Sequence, residues 1–489
     1  MTDRCGFRLD LREERERCAR WLASEYDYIH DHPPVDEVAA FADLPCDDEG
    51  NWQCPRTAVA DGRCVLHHDD STDDEVRATI VAALRGEYDA DEFAVDAPDG
   101  DRRTFASRFL GVELGTLDLH GWRGATRGAA ALDLRCAEID AVRLGDAAVD
   151  APIRLAGATL GSIEATDAEL GGSIGTRFAR VEGDLTLDRA TVDGRVDCRF
   201  SRIGGESSVR HATATSRFDF GFSHVGGTVA AAGGSCGGRF TLKEAVVDAV
   251  AAEDIAVSGP DPESDIPGLQ FRGLTARGSV DLTGADCEGK LIGYRMAIGG
   301  DFDAAEATVG QGISLATRTG TRLGEASIEG TLSFADARID DQTKLRGRES
   351  HNATVAVGER LDLSGATFEH LRVLPNMTHD RLSVVDCRDA TIREGVLSQA
   401  DGGSPTIYDL EGAELGDVRI EPGEATAPAC LWLNRTSFDG FTFVDAARRG
   451  FERADWELID ESPERRETVA FARAFGDATE YARDFAALC

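Results

Sequence analysis

Four residues near the start of the chain have the types and spacing of a metal site: Cys46, Cys54, Cys64 and His67. Seven residues separate the first two cysteines and nine separate the next two, whereas Cys64 and His67 are three positions apart. Three thiolates and one imidazole satisfy tetrahedral Zn²⁺, and the close Cys64–His67 pair has the geometry of a metal-binding turn. Because four protein ligands leave no open position for a substrate, the sequence predicts a structural zinc ion as cofactor.

A second interpretation of the same segment stays open. In that interpretation the three cysteines are ordinary buried residues, and His67 or His68 is exposed. The cysteine spacings are wider than those of a doubled C-x-x-C motif, which weakens the metal signal. The segment is rich in loops and poor in apolar residues, however, and a bound metal is a common way for such a segment to order itself.

Helices are predicted on both sides of this segment. Residues 9–29 carry an apolar stripe, with acidic residues near the start, where the helix dipole favours them. Thr72 and Glu75 have the spacing of a capping box at the start of another helix, which Gly86 ends. Residues 1–104 are therefore predicted to form a helical, Cys/His-rich N-terminal region.

An eleven-residue repeat organises most of the remaining chain. Its glycines are Gly161, Gly172, Gly183, Gly194, Gly205, Gly227 and Gly238, and Ser216 occupies the missing position. Each copy reads Gly-x-Φ-x-Φ-x-x-Ala-x-Φ, where Φ is apolar, which predicts two very short strands with a bend between them. A repeat this short cannot bury its own apolar side, so successive copies must stack. Residues 105–425 are therefore predicted to form a β-solenoid with two copies in each coil.

Two residue types in the repeat have expected positions. The alanines suit the tight interior beside each corner of a coil. The glycines suit backbone turns with positive φ, which glycine adopts without steric cost.

A five-residue pattern within the repeat resembles the pentapeptide-repeat family, whose unit is A-x-(L/F)-x-x. The small-then-apolar pair recurs in Ala158-Thr159-Leu160, Ala168-Glu169-Leu170, Ala190-Thr191-Val192 and Ala413-Glu414-Leu415. The resemblance implies a mainly β fold, a right-handed quadrilateral β-helix with one pentapeptide per side, to which the residue patterns add small helical N- and C-terminal regions. The eleven-residue spacing departs from the family pattern and implies sides that alternate between five and six residues.

The resemblance extends to both ends of the repeat region. The block from Trp52 to His67 is similar to a cysteine-rich element that precedes the repeats in some archaeal members. The phrase from Phe438 to Phe443, followed by Trp456, resembles the exit segment of those members. Some relatives continue into a helical or membrane region, so the resemblance implies a protein partner associated with a membrane.

Residues 426–489 are predicted to contain this exit segment and a C-terminal helical cap. The predicted helix has its apolar residues on one side, at Phe471, Phe475, Ala478, Ala482 and Phe485. That side either packs on the last coil, which we favour, or binds a partner.

The chain has 89 acidic and 52 basic residues, a formal net charge of −37, and only three lysines, Lys243, Lys290 and Lys344. This composition resembles that of proteins from salt-loving archaea, whose hydrated carboxylates are expected to maintain solubility in concentrated salt. Cysteines such as Cys198 and Cys287 fall singly at inward repeat positions, which is typical of a reducing cytosol.

The sequence predicts a soluble, cytoplasmic chain that is at most peripheral to a membrane. No apolar run reaches the roughly eighteen residues needed to span a bilayer. The N-terminus carries acidic residues where a signal peptide needs an apolar segment.

No catalytic constellation stands out from the sequence. It contains no H-E-x-x-H motif, no G-x-S-x-G motif, no phosphate loop and no basic patch with interleaved aromatic residues. We therefore expect a non-enzymatic interaction or scaffold protein that binds a protein partner and does not bind nucleic acid directly. The alternatives are a carbohydrate-active β-helix enzyme with paired carboxylates along one face, and an acidic mimic of nucleic acid.

Overall fold

The computed structural model describes residues 4–25, 41–88, 92–93, 99–124, 130–259, 268–319, 322–324, 326–345, 355–373, 375–377, 383–398, 406–421, 429–433, 435–443 and 456–458. Among these residues, no helix is both long enough and apolar enough to cross a membrane. The predicted C-terminal helix containing Phe471 and Phe485 lies outside the described residues.

Backbone contacts divide the chain into two compact units, Met1–Ala230 and Ala231–Cys489. We call them unit 1 and unit 2. Their boundary lies inside the predicted 105–425 repeat region, and the predicted domain limits at residues 104 and 425 stay predictions.

The described helices all belong to unit 1: α1 Leu11–Glu25, α2 Asp73–Arg85 and α3 Asp99–Ala106. The predicted capping box at the start of α2 is confirmed. The amide of Glu75 donates to the Thr72 hydroxyl at 3.4 Å, and the amide of Thr72 donates to the Glu75 carboxylate at 2.9 Å. The helix ends at Gly86, whose φ is 75°, and its apolar residues Val76, Ile80 and Leu84 are buried.

The strands of unit 1, β1–β20, are, in chain order, Arg8–Asp10, Asn51–Gln53, Glu113–Asp118, Leu132–Asp133, Glu138–Arg143, Ala148–Val149, Ile153–Arg154, Thr159–Glu164, Glu169–Leu170, Ile174–Gly175, Arg180–Val181, Leu185–Thr186, Thr191–Val192, Val196–Asp197, Arg202–Ile203, Ser207–Ser208, Thr213–Ala214, Arg217–Asp219, His224–Val225 and Thr228–Ala230.

The strands of unit 2, β21–β50, are, in chain order, Ser235–Cys236, Arg239–Thr241, Val246–Val247, Ala249–Ala251, Ala256–Val257, Gly268–Gln270, Thr275–Ala276, Val280–Asp281, Asp286–Cys287, Lys290–Ile292, Ala297–Ile298, Phe302–Asp303, Thr308–Val309, Ile313–Ser314, Thr317–Thr319, Arg322–Gly324, Ala326–Ile328, Leu332–Ser333, Arg338–Leu345, Val355–Val357, Leu361–Asp362, Thr367–Val373, Pro375–Met377, Ser383–Asp386, Thr391–Ser398, Thr406–Asp409, Glu414–Glu421, Ala429–Trp432, Ser437–Phe443 and Trp456–Leu458.

One coil of the solenoid contains four short strands, as β10, β11, β12 and β13 show in unit 1. Strand β14 then begins the next coil and pairs in parallel with β10, which places Val196 beside Ile174. Residues at equivalent positions of adjacent coils, such as Asp167 and Arg189, are 22 positions apart, which is two copies of the repeat. The predicted mainly β fold, a stacked β-helix with small helical regions, is confirmed, and it has about 12 turns.

The interior of the coils is apolar and close-packed. Ala168 and Ala190 are each 1% exposed, as expected for residues beside a corner. In unit 1 the rings of Phe178, Phe200 and Phe222 stack on successive coils, with centroids 5.0 and 5.1 Å apart. The inward cysteines predicted from the repeat are also buried, at positions such as Cys198 in unit 1 and, separately, Cys287 in unit 2.

The corners of the coils in unit 1 are of two kinds, and the prediction of positive φ at the repeat glycines is wrong. Positive φ, between 54° and 60°, occurs instead at Asp167, Phe178, Arg189, Phe200, His211 and Phe222, also eleven residues apart. Of the unit 1 repeat glycines, only Gly194 has a positive φ.

The glycine corners lie against the backbone of the preceding coil, which leaves little or no space for a side chain. A Cβ atom at Gly161 would be 2.1 Å from the carbonyl oxygen of Asp140, and one at Gly183 would be 3.0 Å from the carbonyl oxygen of Gly161. The sequence pattern indicated a special backbone position, but the reason is close approach rather than left-handed geometry.

Candidate metal centre

Three of the four predicted ligands come together in the structure, and the fourth does not. One cluster contains Cys54, Cys64 and His67 together with Cys5. The ligand atoms of these four residues all lie within 4.8 Å of one another. Cys46 is exposed and outside this cluster. The structure therefore corrects the predicted set: Cys5 takes the position that the sequence analysis gave to Cys46.

Pairing between two short strands brings Cys5 to the cluster. β1 and β2 are antiparallel, with Arg8 opposite Gln53, so the segment before β1 lies beside the segment after β2. The amide of Cys5 donates to the carbonyl oxygen of Arg56 at 2.8 Å, which places its thiol next to that of Cys54. Cys46 precedes the strand instead, on the other side of the turn that ends at Gly50.

Three of the distances among the four side chains are close to those of a tetrahedral site. The sulfur atoms of Cys54 and Cys64 are 3.8 Å apart. Nδ1 of His67 lies 3.3 Å from Sγ of Cys64 and 3.8 Å from Sγ of Cys5. A zinc ion with bonds of about 2.3 Å to sulfur and about 2.0 Å to nitrogen requires separations of roughly 3.5–3.8 Å between its ligand atoms. The cluster could therefore accept such an ion with little rearrangement.

The surroundings of His67 fix the orientation and tautomer of its ring. Nε2 of His67 lies 3.0 Å from the carbonyl oxygen of Leu110, so Nε2 carries the proton and donates it. Nδ1 is then available as a ligand. Metal-bound histidines usually donate the N–H of their other ring nitrogen to an acceptor such as a backbone carbonyl. The ring of Phe7 stacks on that of His67, with centroids 3.8 Å apart and planes 5° apart.

Ionisation within the cluster is strongly coupled. Hydrogen bonds from Cys54 and Cys64 hold the pKa of the Cys5 thiol well below its usual range. Hydrogen bonding to Cys5 and Cys64, together with burial, raises the pKa of Cys54. Burial lowers the pKa of His67, but hydrogen bonds to Cys5 and Cys64 outweigh it and raise that pKa to about 9. Because a metal needs deprotonated ligands, cation binding here must release protons.

A buried arginine supplies positive charge beside the thiols. The Arg56 side chain is almost fully buried, donates to the carbonyl oxygen of Ala106 at 3.1 Å and lies over the ring of Phe93, 5.3 Å from its centroid. Burial lowers the pKa of Arg56, and the charges of Cys54 and Cys64 oppose that shift. Three thiolates and one divalent ion sum to a single negative charge beside this guanidinium, which also pairs with the Glu92 carboxylate at 3.4 Å.

No protein-family model, curated protein or solved structure matches this chain. The resemblance to pentapeptide-repeat proteins therefore rests on the sequence pattern alone.

Proposed function

We propose that this protein is a non-enzymatic scaffold whose solenoid sides bind a protein partner and whose N-terminal region is held by a structural zinc ion. The observation that carries the proposal is the stacking of outward side chains in register. On one side of unit 1, Arg180, Arg202 and His224 lie next to one another on successive coils. Rows of this kind build extended surfaces, which solenoid proteins commonly use for binding.

The inner residues of the same strands support binding at the surface. Val181, Ile203 and Val225 are each at most 3% exposed and fill the interior of their coils. A ligand therefore has access only to the outer side of these strands. Because arginine is enriched in protein interfaces, we place the partner on the row that contains Arg180 and Arg202.

The zinc part of the proposal follows from burial and connectivity. Cys5 and Cys54 are 0% exposed and Cys64 is 1% exposed, so these thiols are sealed from solvent. Cys5 and Cys64 are 59 positions apart in sequence, and His67 contacts Leu110 beyond α3. An ion held by Cys5, Cys54, Cys64 and His67 would cross-link these segments and contribute to their folding energy.

The kind of partner in this proposal comes from the family resemblance. We propose a protein associated with a membrane, with this chain located in the cytoplasm and peripheral to that membrane. The acidic surface and the resemblance to proteins of salt-loving archaea make molar salt the condition in which to test the interaction.

The interaction is tested with a double variant, Arg180→Glu with Arg202→Glu, and a matched control, Thr191→Glu with Thr213→Glu. Thr191 and Thr213 are also exposed neighbours on adjacent coils, but in a different row. We expect wild type and control to retain one partner with fixed stoichiometry in native extracts. The arginine double variant should bind this partner at least about tenfold more weakly than wild type does. Its melting temperature should equal that of wild type. Retention by both double variants would contradict this location, and turnover of a polysaccharide would favour the enzyme alternative.

A further inference from the structure

A groove on unit 1 concentrates positive charge in a strongly acidic protein. Its volume is about 550 Å³, and it shares no residue with the cysteine cluster. The charged residues of its wall are Arg135, Arg154, Arg177, Arg195, Asp43 and Asp197. We call it the arginine groove.

Gly175 forms the floor of the arginine groove. The strand register places Arg154, Gly175 and Asp197 in one outward row on successive coils. A Cβ atom at Gly175 would meet nothing within 4 Å, and the φ of this glycine is not positive. Neither backbone geometry nor close approach therefore requires glycine here. The missing side chain leaves a cavity in the middle of a charged row.

One aspartate of the wall is shared by two arginines. The carboxylate of Asp43 accepts hydrogen bonds from Arg135 at 2.5 Å and from Arg154 at 2.9 Å. Burial raises the pKa of Asp43, but the two guanidinium groups outweigh this effect and lower it. Asp43 therefore stays ionised at neutral pH and lies between Arg154 and Arg135, the second of which also pairs with the buried Asp133 at 2.6 Å.

The second aspartate is shared in the same way. The carboxylate of Asp197 lies 2.7 Å from Nε of Arg177 and 3.4 Å from Nε of Arg195. Arg135 also pairs with Asp133 at 2.6 Å, and Arg199 pairs with Asp197 at 2.9 Å and with Asp219, which contacts Arg217. The wall and these ion-pair partners together contain six arginines and four aspartates, which is a formal charge of +2. This local excess contrasts with the net charge of −37 of the whole chain.

The four arginines differ in how far they are fixed. The side chains of Arg135 and Arg177 are 3% and 17% exposed, whereas those of Arg154 and Arg195 are 45% and 32% exposed. All four arginines pair with the aspartates, and the two more exposed ones, Arg154 and Arg195, also present part of their guanidinium groups to the groove. Guanidinium groups bind carboxylate and phosphoryl oxygens through paired N–H donors.

We propose that the arginine groove binds a small dianion with phosphoryl or carboxylate oxygens, located above Gly175. A charge of −2 would balance the wall, and the volume is within the range of small-molecule sites. The acidic chain repels anions at long range, so this recognition depends on short-range contacts with Arg154 and Arg195. The site is independent of the zinc and partner proposals.

The test is calorimetric titration of the full-length protein with inorganic phosphate or succinate near pH 7.5, at an ionic strength fixed with sodium chloride. We expect one saturable site for at least one of these probes. Gly175→Glu places a carboxylate of the chain itself in the cavity and should weaken binding at least tenfold. Gly175→Ala keeps most of the cavity and should bind like wild type, and Arg154→Gln should bind more weakly than wild type.

A stability comparison checks the charge of the groove without a ligand. Gly175→Glu and Gly175→Gln fill nearly the same volume, so a higher melting temperature for Gly175→Glu reports compensation of positive charge. If only phosphate binds, the ligand is a phosphoryl compound, and if only succinate binds, it is a carboxylate. If both bind, the groove recognises its ligand by charge. The proposal is overturned if neither probe binds saturably, or if Gly175→Glu binds as tightly as wild type.

Discussion

At the residue scale, His67 links the cysteine cluster to the rest of unit 1. Its Nδ1 faces the thiols of Cys5 and Cys64, and its Nε2 bonds to the carbonyl oxygen of Leu110. A hydrogen bond to the ring nitrogen that does not bind the metal orients a histidine ligand before the metal binds. The stacked ring of Phe7 restricts the imidazole further. These contacts give the histidine one orientation, which suits a structural site.

Cys5 and Cys46 offer a matched pair of substitutions for the zinc proposal. Cys5→Ser should remove a ligand and lower zinc affinity by more than the roughly 10- to 100-fold that loss of an outer contact costs. Cys46→Ser should leave about one zinc per chain, because this thiol is exposed and outside the cluster. Elemental analysis of protein purified without chelator measures the zinc content of both variants. Equal zinc content in the two variants, or none in wild type, would contradict the proposed site.

At the element scale, the two kinds of corner explain why one repeat uses two different residues at its bends. Corners such as Phe178 and Arg189 adopt left-handed φ and accept a side chain that points outward or stacks on its neighbour. The left-handed backbone conformation of each such residue is energetically unfavourable. The free energy gained by packing the stacked coils must be larger than this cost. Corners such as Gly161 adopt ordinary φ but contact the coil before them. At corners such as Gly161, glycine is thus favoured by the available space rather than by backbone geometry.

Gly161 and Gly175 test this distinction with the same substitution. Gly161→Ala would place a methyl group 2.1 Å from a backbone oxygen of Asp140. The resulting shift of the coil should lower the free energy of unfolding by about 1–3 kcal/mol. Gly175→Ala meets open space and should change that free energy by no more than about 0.5 kcal/mol. Urea unfolding measures both variants, and equal losses of stability would show that close approach is not the cause.

At the scale of the whole molecule, the excess of acidic residues dominates the electrostatics. A net charge of −37 on 489 residues produces self-repulsion that opposes the compact state. Short ion pairs, such as Arg189 with Asp167 at 2.6 Å, reduce this repulsion locally. Acidic residues outnumber basic ones by 89 to 52, so even complete one-to-one pairing would leave 37 carboxylates without a basic partner. Stability should therefore depend on screening by salt.

Raising potassium chloride from about 0.1 M to about 2 M should raise the melting temperature, because the screening length falls from about 10 Å to less than about 3 Å. Thermal unfolding followed by circular dichroism measures the effect. Sodium chloride serves as the control and should give nearly the same curve, since screening depends on ionic strength. A melting temperature that stays constant or falls over this range would count against the interpretation of the charge.

The sequence by itself determined the fold class and the organisation of the coil. Apolar alternation and the eleven-residue spacing are local patterns, and they forced stacking because one copy cannot bury its own apolar side. The same patterns located buried residues such as Ala168 and Ala190. The capping box at Thr72 was also predictable, since its partners are three residues apart.

The tertiary structure alone decided the makeup of both candidate sites. Cys54, Cys64 and His67 were found from their spacing, but Cys5 joins them through strand pairing across nearly fifty residues, which leaves no local signal. Arg154 and Arg195 line the same groove because coils stack in register, although no basic cluster is visible along the chain. The role of the glycine corners likewise depends on the distance to the previous coil. A sequence shows which residues repeat, but contacts between distant segments form only when the chain packs, so ligand sets and cavities appear only in the folded molecule.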